Sequence, residues 1–114
     1  MKHVVSLSGR AEADLTNQDR WYLDNATVEV AERFLKAFDA TTVLLSQFPD
    51  IGRPRRFRAR ELKGVRSVSI GQKFGDHLIF YRVGGNTVSI ERIMHGSRDL
   101  EHRLLEPPEN YQSD

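Results

Sequence analysis

The chain has 114 residues, no cysteine, and seventeen Lys and Arg against sixteen Asp and Glu, a formal net charge of +1. That length points to one domain. The missing thiols exclude a disulfide scaffold, a thiol nucleophile and a cysteine-held metal, and no apolar run approaches the length of a membrane span.

In chain order, His3 to Leu7 is rich in β-branched residues and predicts a short first strand. Ser8 is placed to cap a helix, with Glu12 and Asp14 near its positive end. Ala11, Leu15, Gln18 and Tyr22 fall on one helical face, which predicts a helix from about Arg10 to Asp24. Trp21 lies about 80° off that face at about 100° per residue, so it is either half-buried core or an exposed anchor. After the turn Asp24-Asn25-Ala26-Thr27, a second helix carries Ala31, Phe34, Leu35, Phe38, Thr42 and Leu45 on its buried stripe. Val30, Ala37, Leu44 and Phe48 form a shoulder beside it. Pro49 ends this helix in a Pro49-Asp50-Ile51-Gly52 turn.

The period then changes. Val65 to Ile70 alternates as a strand, and Leu78 to Val83 is a nearly continuous apolar run, as in a central strand covered on both sides. Val88, Ile90, Ile93 and Met94 mark a third run. Gly75-Asp76 and Gly84-Gly85-Asn86 supply the turns of a meander. A last short helix is expected from Asp99 to Leu105, before Pro107-Pro108. The predicted architecture is α+β in the order β-α-α-β-β-β-α, a helical hairpin on a small, mainly antiparallel sheet. One domain is expected over 1–106, with a polar tail over 107–114. The stretch after Met1 lacks the apolar core of a secretory signal, which gives the expectation of a soluble cytoplasmic domain.

Charge is unevenly spread. Residues 11–50 carry net −5 and residues 51–77 net +6. The basic block Arg53-Pro54-Arg55-Arg56-Phe57-Arg58-Ala59-Arg60 is either a solvated loop or a docking surface for an acidic partner.

Several local sequences resemble the ParE branch of the RelE/ParE toxin superfamily. They are Ala11-Glu12-Ala13-Asp14-Leu15, Phe48-Pro49-Asp50-Ile51-Gly52-Arg53, Leu62-Lys63-Gly64-Val65-Arg66-Ser67-Val68 and Leu78-Ile79-Phe80-Tyr81-Arg82. The series ends with Ile90-Glu91-Arg92-Ile93-Met94-His95-Gly96-Ser97-Arg98-Asp99-Leu100. The resemblance implies a bacterial toxin that binds and stalls DNA gyrase without catalysis of its own, held in check by a cognate antitoxin. RelE-like relatives on the same fold instead cut mRNA on the ribosome, and fold alone does not choose between the two.

RNA cleavage needs a group to activate the 2′-hydroxyl, a proton donor for the leaving oxygen and cations for the phosphate. His95, Arg98, Arg66 and Arg82 are the residues able to supply these. Tyr111 falls in the tail, where a rigid support is not expected. His3, His77, His95 and His102 show no metal-ligand spacing, and neither a P-loop nor a dinucleotide fingerprint is present. No cofactor is expected.

The family's antitoxins clasp their toxins with a helix and an extended segment. The resemblance therefore implies an antitoxin, ParD-like or other, with an acidic and partly disordered tail. The residues suited to meet it are Trp21 as an apolar anchor and Arg53, Arg55, Arg56 and Arg58 as carboxylate partners. The gyrase-facing surface implied by the family involves Arg92, Arg98 and Arg103. DNA would be contacted only through the antitoxin, within a toxin–antitoxin hetero-oligomer and without a membrane.

Overall fold

Ser8 ends one element and starts the next. Its hydroxyl accepts from the Ala11 amide at 3.0 Å and donates to the Glu91 carbonyl at 2.9 Å, tying the helix start to a distant strand. The computed structural model describes residues 2–96 and 99–108. Strand β1 is Val4–Leu7, followed by helices α1 (Gly9–Asn25) and α2 (Val28–Gln47). Thr27 caps α2 through the Val30 amide, at 3.1 Å. Then come β2 (Arg53–Pro54), β3 (Arg66–Ser69), β4 (His77–Gly84), β5 (Thr87–His95) and helix α3 (Leu100–Leu105). No described helix is long and apolar enough to cross a membrane.

The five strands form one sheet in the order β1-β5-β4-β3-β2. Only β1 runs parallel to its neighbour, β5. The others pair antiparallel, so the sheet is mainly antiparallel, as the sequence predicts. The two-residue β2 is an addition: the start of the basic block pairs with β3 at the sheet edge. The link from β3 to β4 is also longer than a tight turn. It carries a 3₁₀ turn at Gln72–Phe74 and brings Phe74 into the core. The β4–β5 turn is tight. Gly85 takes φ +56° there, the position of a two-residue hairpin loop that favours glycine.

The sheet is covered on both faces. The α1–α2 hairpin packs on one, where Phe34, Phe38, Leu45, Ile79, Tyr81, Val88, Ile90 and Ile93 form the larger core. The segment 57–65 and α3 cover the other, with Leu62, Val65, Phe80, Met94 and Leu104 buried together. A β-bulge makes this double covering possible. The register of β4 against β5 shifts between Phe80 and Tyr81, which face Arg92 and Ile90 and leave Glu91 as the extra residue. Before the bulge the even-numbered Val88 and Ile90 face the hairpin; after it the odd-numbered Ile93 does, while Met94 enters the second core. This phase change underlies the irregular Val88, Ile90, Ile93, Met94 spacing.

Two expected positions on α2 differ. Thr41, not Thr42, is buried, and its hydroxyl donates to the Ala37 carbonyl at 2.8 Å. Leu44 and Phe48 stay exposed at 43% and 55%. Leu44 stands about 100° around the helix from the buried Leu45, and Phe48 is the residue just past the helix end.

Candidate functional site

The turn after α2 is a clasp built from three separate sequence pieces. The Tyr81 hydroxyl donates to the Pro49 carbonyl at 2.8 Å and accepts from the Gly52 amide at 2.8 Å. Arg66 Nη1 donates to the carbonyls of Asp50, at 3.2 Å, and Gly52, at 2.8 Å. Gly52 has no side chain because Tyr81 fills its place: a Cβ there would overlap the phenol ring. Burial is the main cause raising the Tyr81 pKa above 10, so the phenol stays a hydrogen-bonding group.

Arg82 points to the other face of the sheet. It forms a two-pronged pair with Glu91, at 3.1 and 2.8 Å, and donates to the Lys63 carbonyl at 2.9 Å and to the Glu61 carbonyl. Glu91 borders an open groove of about 410 Å³ between β1, β5 and α3, together with Arg10, Ser6 and Ser89. His95 lies on the hairpin face, its ring 5.2 Å from that of His77. Along β4, Arg82 is five positions from the residue paired with His95, roughly 16 Å at the strand rise. The structure therefore does not bring together the set proposed for RNA cleavage. Arg66 and His95 sit towards opposite ends of one face, Arg82 lies on the other, and both arginines are engaged by internal acceptors. Arg98 and Tyr111 lie outside the described residues.

The basic block is an extended ridge with alternating sides. Arg53, Arg56, Arg58 and Arg60 are exposed, while Arg55, Phe57 and Ala59 turn inward. Arg55 Nε donates to Ser67 Oγ at 2.7 Å, and its guanidinium lies 5.8 Å from the centre of the Phe80 ring. Burial, and then the neighbouring Arg53, lowers its pKa from the ordinary arginine value. The ridge is fastened from below by Glu101, whose carboxylate accepts from the Arg58 and Ala59 amides at 3.0 and 2.9 Å. Of the four arginines expected to meet a partner, Arg53, Arg56 and Arg58 thus project outward and Arg55 is half-enclosed.

Trp21 is 45% exposed and sets its ring edge-to-face on Tyr22 at 5.5 Å. Arg92, expected at a target-facing surface, is instead an internal strut, only 7% exposed. Its guanidinium meets Asp14 at 2.8 and 3.1 Å and reaches the carbonyls at the end of α3, including that of Glu106 at 2.6 Å. A cation on the last carbonyls of a helix is favourable. The bulge aims the side chain that way, into the second layer. Arg103 Nη1 donates to the His95 carbonyl at 3.2 Å.

Sequence reasoning missed the cluster around His77, which is 5% exposed. Its Nε2 and the Tyr22 hydroxyl share a hydrogen bond of 2.9 Å, and its ring packs on Phe34 and Phe74. Burial, then the adjacent His95, pulls its pKa down to about 4, against a smaller opposing pull from Asp76. The only signal available was that His77 opens an apolar strand in phase with Ile79 and Tyr81. Among the described residues, no three His, Asp or Glu side chains converge as a metal would require.

Comparison with known proteins adds to this geometry. The profile of the ParE toxin of type II toxin–antitoxin systems matches residues 5–100. Toxin ParE1 of Caulobacter vibrioides is 33% identical over 104 residues, covering 86% of this chain and 94% of that protein. Among solved structures, the chromosomal ParDE toxin–antitoxin system of P. aeruginosa superposes with a TM-score of 0.67 at 21% identity, over 84% of this chain and 98% of that one. The RelBE2 toxin–antitoxin complex of Mycobacterium tuberculosis gives 0.53 at 24% identity, over 84% of this chain and all of that one. These two structures speak to the fold alone.

Proposed function

The chain belongs to the ParE toxin family of type II toxin–antitoxin systems, and on that premise we propose that it acts by binding DNA gyrase, stalling the enzyme on cleaved DNA, and that a cognate antitoxin neutralises it. The observation that carries this reading is the division of the cleavage candidates between two faces of the sheet. A nuclease needs its base, acid and phosphate-binding cations around one scissile bond. Here Arg66 holds a turn, Arg82 is paired with Glu91, and His95 stands apart from both.

The antitoxin contact rests on different residues. Arg53, Arg56 and Arg58 stand outward on the fastened ridge, where guanidinium groups take carboxylates of an acidic tail. Trp21 offers a half-exposed apolar anchor on α1. On the target side, Arg103 carries the proposal among the described residues, since Arg92 is enclosed.

Purified protein in molar excess over gyrase should block supercoiling and accumulate a cleaved complex. Unchanged supercoiling with no cleaved complex would overturn the proposal. Induced expression should arrest growth, and the product of the adjacent reading frame should restore it. His95→Ala should arrest growth as strongly as the wild type; loss of toxicity in that variant, with its fold retained, would turn the reading to ribosome-dependent RNA cleavage.

A further inference from the structure

A second surface lies on the opposite side of the molecule from the arginine ridge. Between α2 and the Gln72–Phe74 turn is a groove of about 550 Å³. Its apolar lining comes from Val30, Ala37 and Ala40 of α2 together with Tyr22 and Phe74. Its charged lining is entirely positive: Arg33, Lys36 and Lys73. None of the three forms an ion pair within the described residues.

This charge is against the local trend. Residues 11–50 hold eight acids and three cations, yet two of those cations, Arg33 and Lys36, border this one groove. Val30, Arg33, Ala37 and Ala40 are spaced i, i+3, i+7 and i+10, so the lining follows one helix face for roughly 15 Å at 1.5 Å per residue. Two alanines where a helix of this kind carries larger side chains leave the hollow.

We infer that this groove is a docking site for an acidic segment of a partner protein, carrying an apolar anchor residue flanked by Asp or Glu. The run of lining residues along one helix face suits a stretch of polypeptide better than a compact small molecule. The unpaired cations supply charge complementarity, and the Tyr22–Phe74 floor takes the anchor. The inference concerns a different surface from the ridge and stands whether or not gyrase is the target.

The test is a random twelve-residue peptide library displayed on phage, panned against the full chain. The expected consensus has Leu, Phe or Trp bracketed by Asp or Glu. Synthetic peptides of that consensus should lose at least tenfold in affinity against Ala40→Trp, which fills the hollow without changing charge. They should lose a similar factor against Arg33→Glu combined with Lys73→Glu, and a clearly smaller one against the ridge variant, Arg56→Glu combined with Arg58→Glu. All these positions are exposed, and circular dichroism is the check that each variant is folded. Four outcomes would overturn the inference: no acidic consensus, binding unchanged in Ala40→Trp, loss only in the ridge variant, or tighter occupation of the groove by a single-stranded oligonucleotide.

Discussion

Asp14 and Arg92 are 78 positions apart in sequence and form the most enclosed ion pair among the described residues, at 2.8 Å. Asp14 also accepts from the Ile93 amide at 3.0 Å, so one carboxylate fixes a helix to a strand by three bonds. Removing one member of a buried pair leaves the other charge uncompensated, at a cost of about 3–5 kcal/mol. Asp14→Ala should lower the unfolding free energy by that amount in urea titration; a loss below about 1 kcal/mol would show that the pair carries little. His77 makes a separate, pH-dependent prediction. Tyr22, Phe34, Phe74 and His95 surround its ring, and Asp76 precedes it. Its folded pKa of about 4 lies below the ordinary 6.5, so the unfolded chain binds the proton first as pH falls. The neutral ring's contribution is complete above about pH 6.5 and is lost towards pH 4, by up to about 3 kcal/mol. Urea midpoints between pH 7.5 and 4.5 should fall accordingly, and His77→Phe should flatten that slope.

Elements show how far the sequence could be read. Both long helices were legible because Ser8 and Thr27 cap them and Phe34, Phe38 and Leu45 repeat at helical spacing. The central strand was legible because Leu78 to Val83 is apolar on both faces, and both faces are in fact covered. The clasp at the end of α2 was not. Its parts appeared only as separate motifs, and nothing in one dimension says that Arg66 and Tyr81 both close on Gly52. The bulge at Glu91 was hidden for the same reason, since an inserted residue is defined only by the strand opposite it. Arg92 was misplaced too: expected at a target-facing surface, it is enclosed by Asp14 and the carbonyls at the end of α3. The ridge was legible as charge but not as a fastened segment. Glu101 of α3 holds it through two backbone amides, so Glu101→Ala should free the segment locally. Trypsin should then cut at Arg58 and Arg60 several-fold faster by mass spectrometry, while global stability falls by only about 1–3 kcal/mol.

Across the whole molecule, charge is unevenly placed. The helical hairpin comes from the segment of net −5, and the arginine ridge from the segment of net +6. A molecule polarised in this way is steered towards an acidic partner with the ridge leading. Arg56→Glu combined with Arg58→Glu should slow antitoxin association about tenfold at low salt and reduce its salt dependence, measured by surface plasmon resonance. The order of synthesis sets a further condition. The first strand is seated only against the last, with Val4 opposite Thr87 and Leu7 opposite Ile90, and Asp14 waits for Arg92. Contacts this distant in sequence form late. A nascent chain halted anywhere before β5 has neither a partner for β1 nor the strut beneath α3. Translation must therefore pass about four-fifths of the 114 codons before the sheet can close, and interrupted synthesis leaves a fragment that lacks the fold on which every surface described above depends.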